Sequence, residues 1–204
     1  MNFRTSRCGS VVAGALAAIA MTAGTVHAQS PAERCSTAAT SKPFMPWLDV
    51  ADYVLAPGGD IEAGSARWTL RGGAAIIDGN EPFHVGAPND RAALSLPAGS
   101  SAATAPMCLG IEYPTLRFFA KQHRLALSGS LLVDAVMTDA AGHARVVAVG
   151  AVENGGFWMP TTPLPIAVST LAAIGPVHVS FRFTPVGSNR WSIDDVYVDP
   201  YRTI

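Results

Sequence analysis

Lysine is nearly missing from this chain: Lys42 and Lys121 are the only two in 204 residues. Charged residues of all kinds make up 14% of it, and Lys plus Arg (14) fall just short of Asp plus Glu (15). Recognition of nucleic acid needs clustered cations to neutralise successive phosphates, so this composition argues against a nucleic-acid partner. Catalytic signatures are missing as well. The chain has no Gly-x-Ser-x-Gly, no His-Glu-x-x-His, no Cys-x-x-Cys and no phosphate-cradling Gly-rich Lys motif. His84, His123, His143 and His178 are scattered, with none at metal-ligand spacing. A glycosidase needs two facing carboxyl groups, for which Glu62, Glu81, Glu112 and Glu153 are available, but no spacing singles out a pair. The expectation is a protein that is not an enzyme.

Long hydrophobic runs are also lacking. Val11 to Ala23 is apolar, but it is too short and too rich in Gly and Thr to span a bilayer as a helix. It fits a secretory leader instead. Arg4 and Arg7 form the positive n-region, and Val26-His27-Ala28 offers small residues at the positions a signal peptidase reads. Residues 1–28 are therefore expected to be a signal peptide cleaved after Ala28. That makes the protein secreted and extracellular, with no membrane insertion after cleavage. Losing Arg4 and Arg7 lowers Lys plus Arg from 14 to 12 against 15 Asp plus Glu, a net of −3.

Cysteine is scarce, at three residues, and Cys8 belongs to the leader. The remaining two, Cys35 and Cys108, most simply pair in an oxidising compartment, with two buried free thiols as the alternative. A Cys35–Cys108 bridge closes a loop of about 73 residues, worth about 4 kcal/mol on the chain-entropy argument. It would pin residues 29–45, a polar extended N-terminal arm without hydrophobic period, onto the domain.

What is present is β rhythm. From residue 46 to residue 204, short apolar or alternating runs are broken by Gly, Pro, Asn and Asp, as in an all-β sandwich. Strands are expected near Asp52–Leu55, Arg67–Leu70, Ala74–Ile77, Ala92–Leu96 and Thr115–Ala120. Others are expected near Leu131–Thr138, Arg145–Val149, Val177–Thr184 and Trp191–Val198. Val177-His178-Val179-Ser180-Phe181-Arg182-Phe183-Thr184 alternates strictly, so its odd-numbered residues point inward. In Trp191-Ser192-Ile193-Asp194-Asp195-Val196-Tyr197-Val198 the alternation breaks at the paired aspartates. Adjacent strand residues face opposite ways, so only one of the two is expected at any shared site. The one helical candidate is Ile166–Ile174, after Pro163 and Pro165 and before Gly175-Pro176.

Two end segments carry a resemblance. Pro57-Gly58-Gly59-Asp60-Ile61-Glu62-Ala63-Gly64 with Trp68, and the closing Ile193-Asp194-Asp195-Val196, resemble the signature of jelly-roll carbohydrate-binding modules with a galactose-binding-domain-like fold. Those modules open with Gly-x-Phe-Glu followed by Trp and close with an Ile-Asp-Asp-Val strand. Pro114-Thr115-Leu116-Arg117-Phe118-Phe119-Ala120 in turn resembles a group of uncharacterised secreted bacterial proteins. The resemblance implies a two-sheet antiparallel β-sandwich and a structural calcium ion where the opening and closing segments meet. Calcium takes several hard oxygens from carboxylates and backbone carbonyls. Carried over, Glu62 and Asp195 are the first ligands and Asp60 a third, with Ile61 standing where the family favours Phe. The alternative is that these acids are solvated or settle the strand end by local hydrogen bonds.

A sugar ring stacks its apolar face on a flat aromatic side chain. Of the four tryptophans, Trp68, Trp158 and Trp191 sit beside apolar neighbours and are expected to pack, while Trp47 is an open candidate. Phe83, His84 and Tyr113 lie in expected loops and are candidate ligand-binding residues, with Tyr197 flanking the same face. The resulting expectation is a secreted non-catalytic binding module for a glycan or cell-surface polymer. The alternatives are a protein-interaction or envelope-structural domain and an unrecognised polymer hydrolase.

Overall fold

The computed structural model of the chain describes residues 39–109, 115–123, 129–138, 143–153, 155–166 and 177–199. They form a two-sheet antiparallel β-sandwich of the jelly-roll kind. The first sheet runs β1 (Thr40–Ser41), β2 (Tyr53–Leu55), β14 (Trp191–Asp199), β5 (Ala92–Leu96), β4 (Ala75–Asp78). On the other side of β14 lies β8 (Thr115–Gln122), which also pairs with the short β11 (Met159–Pro160) and β12 (Leu164–Pro165). The second sheet runs β10 (Ala144–Val152), β9 (Leu131–Thr138), β13 (Val177–Pro185), β6 (Ser101–Thr104), β3 (Trp68–Arg71), with β7 (Met107–Leu109) also on β13. Neighbours in space are mostly not neighbours in sequence.

The alternation read in β13 is what builds the core. Val179, Phe181 and Phe183 are fully buried, while His178 is exposed and Ser180 and Arg182 are half-buried. They meet Leu94, Leu116, Phe118 and Ile193 of the first sheet in one inter-sheet cluster. Phe118 and Phe183 touch edge to face across the sandwich, their centroids 5.1 Å apart.

β8 is buried on both faces, so its apolar run does not alternate. Phe118 enters the core and Phe119 joins a second cluster with Phe44, Tyr53 and Tyr197. The segment around Phe44 covers that cluster and is held by Arg117. The Arg117 guanidinium lies 4.4 Å from the Phe44 ring centroid, pairs with Asp49 and donates from Nε to the Thr161 carbonyl at 2.7 Å. The arm expected over residues 29–45 thus enters the described structure through β1 and the buried Phe44.

Each expected strand has an observed counterpart within a few residues. β6 and β7 have no counterpart among the expected strands, because the small residues of β6 carry little hydrophobic pattern and the three residues of β7 are too few to show a period. Apart from Ile166, the helical candidate Ile166–Ile174 lies outside the described residues.

Phe118→Ala removes a fully buried ring from the middle of the sandwich. It should cost about 3–5 kcal/mol, read as a lowered urea midpoint with an unchanged slope.

Candidate functional site

Two features stand out: a buried carboxylate cluster beside β14 and an open groove across the second sheet. The cluster follows from a change of neighbour. β14 pairs with β5 along Trp191–Ile193 and with β2 along Tyr197–Val198, while its register with β8 slips between Asp194 and Tyr197. Asp195 takes a left-handed conformation at this bulge, with φ 49°. Asp194 and Asp195 are 0% and 1% exposed, and both border Glu81, Asp194 through the Glu81 N–H and Asp195 through the Glu81 carboxyl, although only one of the pair is expected at a shared site.

Loop atoms replace the missing strand partner. Ala56 N–H donates to the Val196 carbonyl at 2.9 Å, and Val196 N–H donates to the Gly59 carbonyl at 3.0 Å. The approach is close enough that a Cβ on Gly59 would lie 2.4 Å from the Val196 carbonyl oxygen, so only glycine fits. Asp194 accepts from Glu81 N–H at 3.1 Å and from Asp195 N–H at 2.8 Å. Glu81 is fully buried and accepts from the N–H groups of Phe83 and of Val85, the latter at 2.7 Å. Asp90 is nearly buried and accepts from Ala87 N–H at 2.7 Å.

Asp195 is different. Neither of its carboxyl oxygens has a hydrogen-bond partner among the described residues, although the neighbouring Glu81 carboxyl is placed to share a proton with it. Burial, then the Glu81 and Asp90 carboxyls, push its pKa up to about 8. Burial and Asp195 push Asp194 up to about 9. Burial, then Asp90, raises Asp60. Gly86 lies against the group, since a Cβ there would sit 2.6 Å from Asp90 Oδ2 and 3.0 Å from Asp195 Oδ1. Among the described residues no three His, Cys, Asp or Glu side chains are grouped as a metal-ligand set. A cation here would draw on Asp195 and Asp90 together with backbone carbonyls.

Of the expected metal ligands, Asp195 is the centre of the cluster and Asp60 acts on it electrostatically. Glu62 is placed otherwise. It is exposed, and its Oε1 accepts from Arg91 N–H at 2.7 Å and Ala92 N–H at 2.6 Å, tying the opening segment to the start of β5. Glu81, Asp90 and Asp194 are absent from the ligands expected from sequence. Their loops give no ligand spacing, and only the broken alternation at Asp194-Asp195 points here.

The expected ligand-binding residues do not form one face. Phe83 packs edge-on against Trp47 at 4.8 Å and leans on Phe119 at 5.7 Å, so it caps the second cluster with part of its ring exposed. His84 is exposed, and its Nδ1 lies 3.3 Å from Asn80 Nδ2. Tyr197 is 5% exposed within the second cluster, so its ring is not available as a platform. Tyr113 and Cys35 lie outside the described residues. Cys108 stands on β7, bonded rather than a free thiol.

The groove, about 790 Å³, crosses the outer face of the second sheet. Register explains its shape. Thr69 pairs with Ala103, Ala103 with Arg182 and Arg182 with Asp134, while Arg71 pairs with Ser101 and Ser180 with Val136. Small residues of β6 thus lie between the arginines of β3 and β13. Arg182 donates from Nη2 and Nε to Asp134 Oδ2 at 2.7 and 3.1 Å. Of the expected ligand-binding residues that are described, Phe83, His84 and Tyr197, none lines this groove.

A candidate catalytic pair is His123 and Ser192, at 2.8 Å from Nε2 to Oγ. Burial, then Lys121 and Arg190, lower the His123 pKa, and Ser192 is 1% exposed, so its hydroxyl is closed to a substrate. Among the described residues no helix is long and apolar enough to cross a membrane.

Neither a known protein family nor a curated protein matches the chain. Solved structures do match in fold. The xylan-binding family 22 carbohydrate-binding module of a Paenibacillus barcinonensis xylanase aligns with TM-score 0.52 at 11% identity, over 83% of this chain and 100% of that one. The N-terminal part of Clostridium thermocellum endo-1,4-beta-D-xylanase 10B, where such a module is joined to a second module and complexed with xylohexaose, aligns with TM-score 0.53 at 11% identity. That alignment covers 74% of this chain and 28% of the larger one, so this chain spans little more than a quarter of that protein. The jelly-roll resemblance drawn from the two end motifs therefore holds at the level of fold.

The raised pKa values fix a sign. A carboxyl whose folded pKa lies above its unfolded value near 4 favours the folded state while protonated, and that contribution is lost as pH rises from about 4 through about 8. In chelator, melting temperature should therefore fall between pH 5 and pH 8, and Asp195→Asn should flatten the fall. A melting temperature equally steep in the variant would remove Asp195 as its source.

Proposed function

We propose that this protein is a secreted, non-catalytic glycan-binding module that holds a polymer chain in the groove on its second sheet, with a calcium ion stabilising the bulge of β14. The observation that carries the reading is the groove itself. It is an open channel lined by arginines, hydroxyl side chains and small residues on the exposed face of a jelly roll whose structural neighbours include a xylan-binding domain.

The calcium part rests on the carboxylates. Five of them, Asp60, Glu81, Asp90, Asp194 and Asp195, act on one another, and every mutual Coulomb contribution to the raised pKa values is repulsive. Buried like charges require protons or a cation. Hard oxygen donors with no nitrogen or sulfur among them suit calcium. Asp195, with both oxygens unpartnered, would hold the ion, with Asp90 beside it; Glu62 would act from outside by fixing the start of β5. Bound calcium would supply the positive charge this cluster lacks.

Export is supported by the leader pattern of residues 1–28, and a Cys35–Cys108 bridge by the bonded state of Cys108. The protein-interaction reading draws on Met45, Leu48 and Val50, which are apolar and more than half exposed on the segment covering the first sheet.

Added calcium should raise the melting temperature and chelator should lower it, because a ligand of the folded state alone stabilises that state. Asp195→Ala should abolish the difference, and identical melts in calcium and chelator would remove the ion. Reduction should release one thiol each from Cys35 and Cys108 and lower the melting temperature; two free thiols before reduction would end the bridge. For the main reading, a panel of soluble and insoluble polysaccharides should yield at least one saturable binder. Silence across the panel from folded, calcium-loaded protein would favour the protein-interaction role.

A further inference from the structure

Resting on the glycan-binding reading, we infer that the groove selects polysaccharides bearing carboxylates, that is, chains containing uronic acid. What decides between a neutral and an acidic chain is what lines the channel. Neutral sugars are held largely by stacking on exposed aromatic faces. Among the described residues the one aromatic in the lining, Trp68, is 7% exposed, and its Nε1 is occupied in donating to the Gly58 carbonyl at 2.8 Å. The described lining offers no ring face to a sugar.

Arginine is offered instead. Arg67, Arg71 and Arg182 all line the channel, and among the described residues no Asp, Glu or Lys does. Arg182 is engaged by Asp134. Arg67 and Arg71 are exposed, and their guanidinium groups make no hydrogen bond or ion pair among the described residues. This concentration is not a by-product of a basic protein, since the whole chain carries a net charge of −1. A guanidinium is a planar fork that matches a carboxylate with two parallel hydrogen bonds. Around the arginines, Thr69, Ser101 and Ser180 supply hydroxyls suited to the neutral sugar oxygens between carboxylates.

The arrangement also sets a spacing. Arg71 faces Ser101, and Arg182 faces Ala103, two residues further along β6, so the two cations stand on either side of a floor of small residues. A chain lying along that floor meets the unpaired forks of Arg67 and Arg71 on one flank and Arg182, already paired with Asp134, on the other. Uronates on the Arg67 and Arg71 side of the chain engage those two forks, whereas a neutral chain would meet charges it cannot pair.

Affinity electrophoresis of the full chain tests this with polygalacturonate, glucuronoxylan, neutral xylan, chondroitin sulfate and duplex DNA as probes. Retardation should be at least about tenfold stronger with a uronate polymer than with neutral xylan and should weaken with salt. Arg71→Gln, an exposed substitution expected to leave the melting temperature unchanged, should lower the uronate affinity about tenfold and so narrow the preference for uronate over neutral xylan. Arg67→Gln supplies a second, independent variant. Equal retardation by neutral and acidic polymers, untouched by Arg71→Gln and Arg67→Gln, would overturn the inference and leave the glycan-binding reading standing. Equal retardation by duplex DNA and the uronate polymer would overturn it as unselective charge attraction, and a preference for chondroitin sulfate over both uronate polymers would move the anion from carboxylate to sulfate. No retardation by any glycan would overturn the glycan-binding reading and this inference together.

Discussion

β14 sets the terms for the rest of the molecule. It lies at the centre of the first sheet and all nine of its residues are buried, yet its sequence contains three aspartates. A central strand cannot send Asp194 and Asp195 to solvent. Instead the strand bulges, exchanges β5 for β2 as its neighbour, and gathers loops around the two side chains. Backbone groups left without a strand partner are taken by Ala56 and Gly59, and the oxygens of Asp194 by two amides. The oxygens of Asp195 are what remains unsatisfied.

The same sheet explains which face is open. Its outer surface is closed by the segment around Phe44, held by Arg117, Asp49 and the stacked rings of the second cluster. Exposed polar strand surface therefore concentrates on the second sheet, where β3, β6, β13 and β9 present alternate residues to solvent. A β strand with one buried face necessarily displays its other residues at a spacing of about 7 Å. β13 does this with Ser180 and Arg182, and β3 with Thr69 and Arg71.

Much of the architecture was legible because it depends on period. The strict alternation of Val177–Thr184 gave the inward residues of β13, and the disturbed alternation at Asp194-Asp195 marked the bulge. The partners of Asp195 were not legible. Glu81 and Asp90 reach it from a loop more than 100 residues away in sequence, and nothing local in that loop signals a shared site. The motif match fixes the position of Glu62 in the chain but not which amides claim its carboxylate, those of Arg91 and Ala92. Tyr197 was misjudged for a similar reason: a residue facing away from the inter-sheet core looks exposed until Phe44 is seen to cover it. The arginines of the groove were hidden by topology, because Arg71 and Arg182 come together only through β6, a strand whose small residues carry no period.

The carboxylate cluster and the groove meet in one segment. Gly59 bonds to Val196 beside Asp195, and Gly58, next to it, accepts the indole N–H of Trp68 at the first residue of β3. Ile61 N–H closes the turn onto the Gly58 carbonyl, and the short helical turn Gly64–Arg67 then delivers Arg67 to the edge of the groove. The position of β3, and with it of Arg67 and Arg71, is therefore set partly by how firmly this segment sits on the bulge. Any agent that relieves the repulsion among the buried carboxylates firms that seating without touching the groove. A proton and a divalent cation would both do so, but only the cation leaves the carboxylates ionised and able to hold the segment at the neutral pH where uronates are charged.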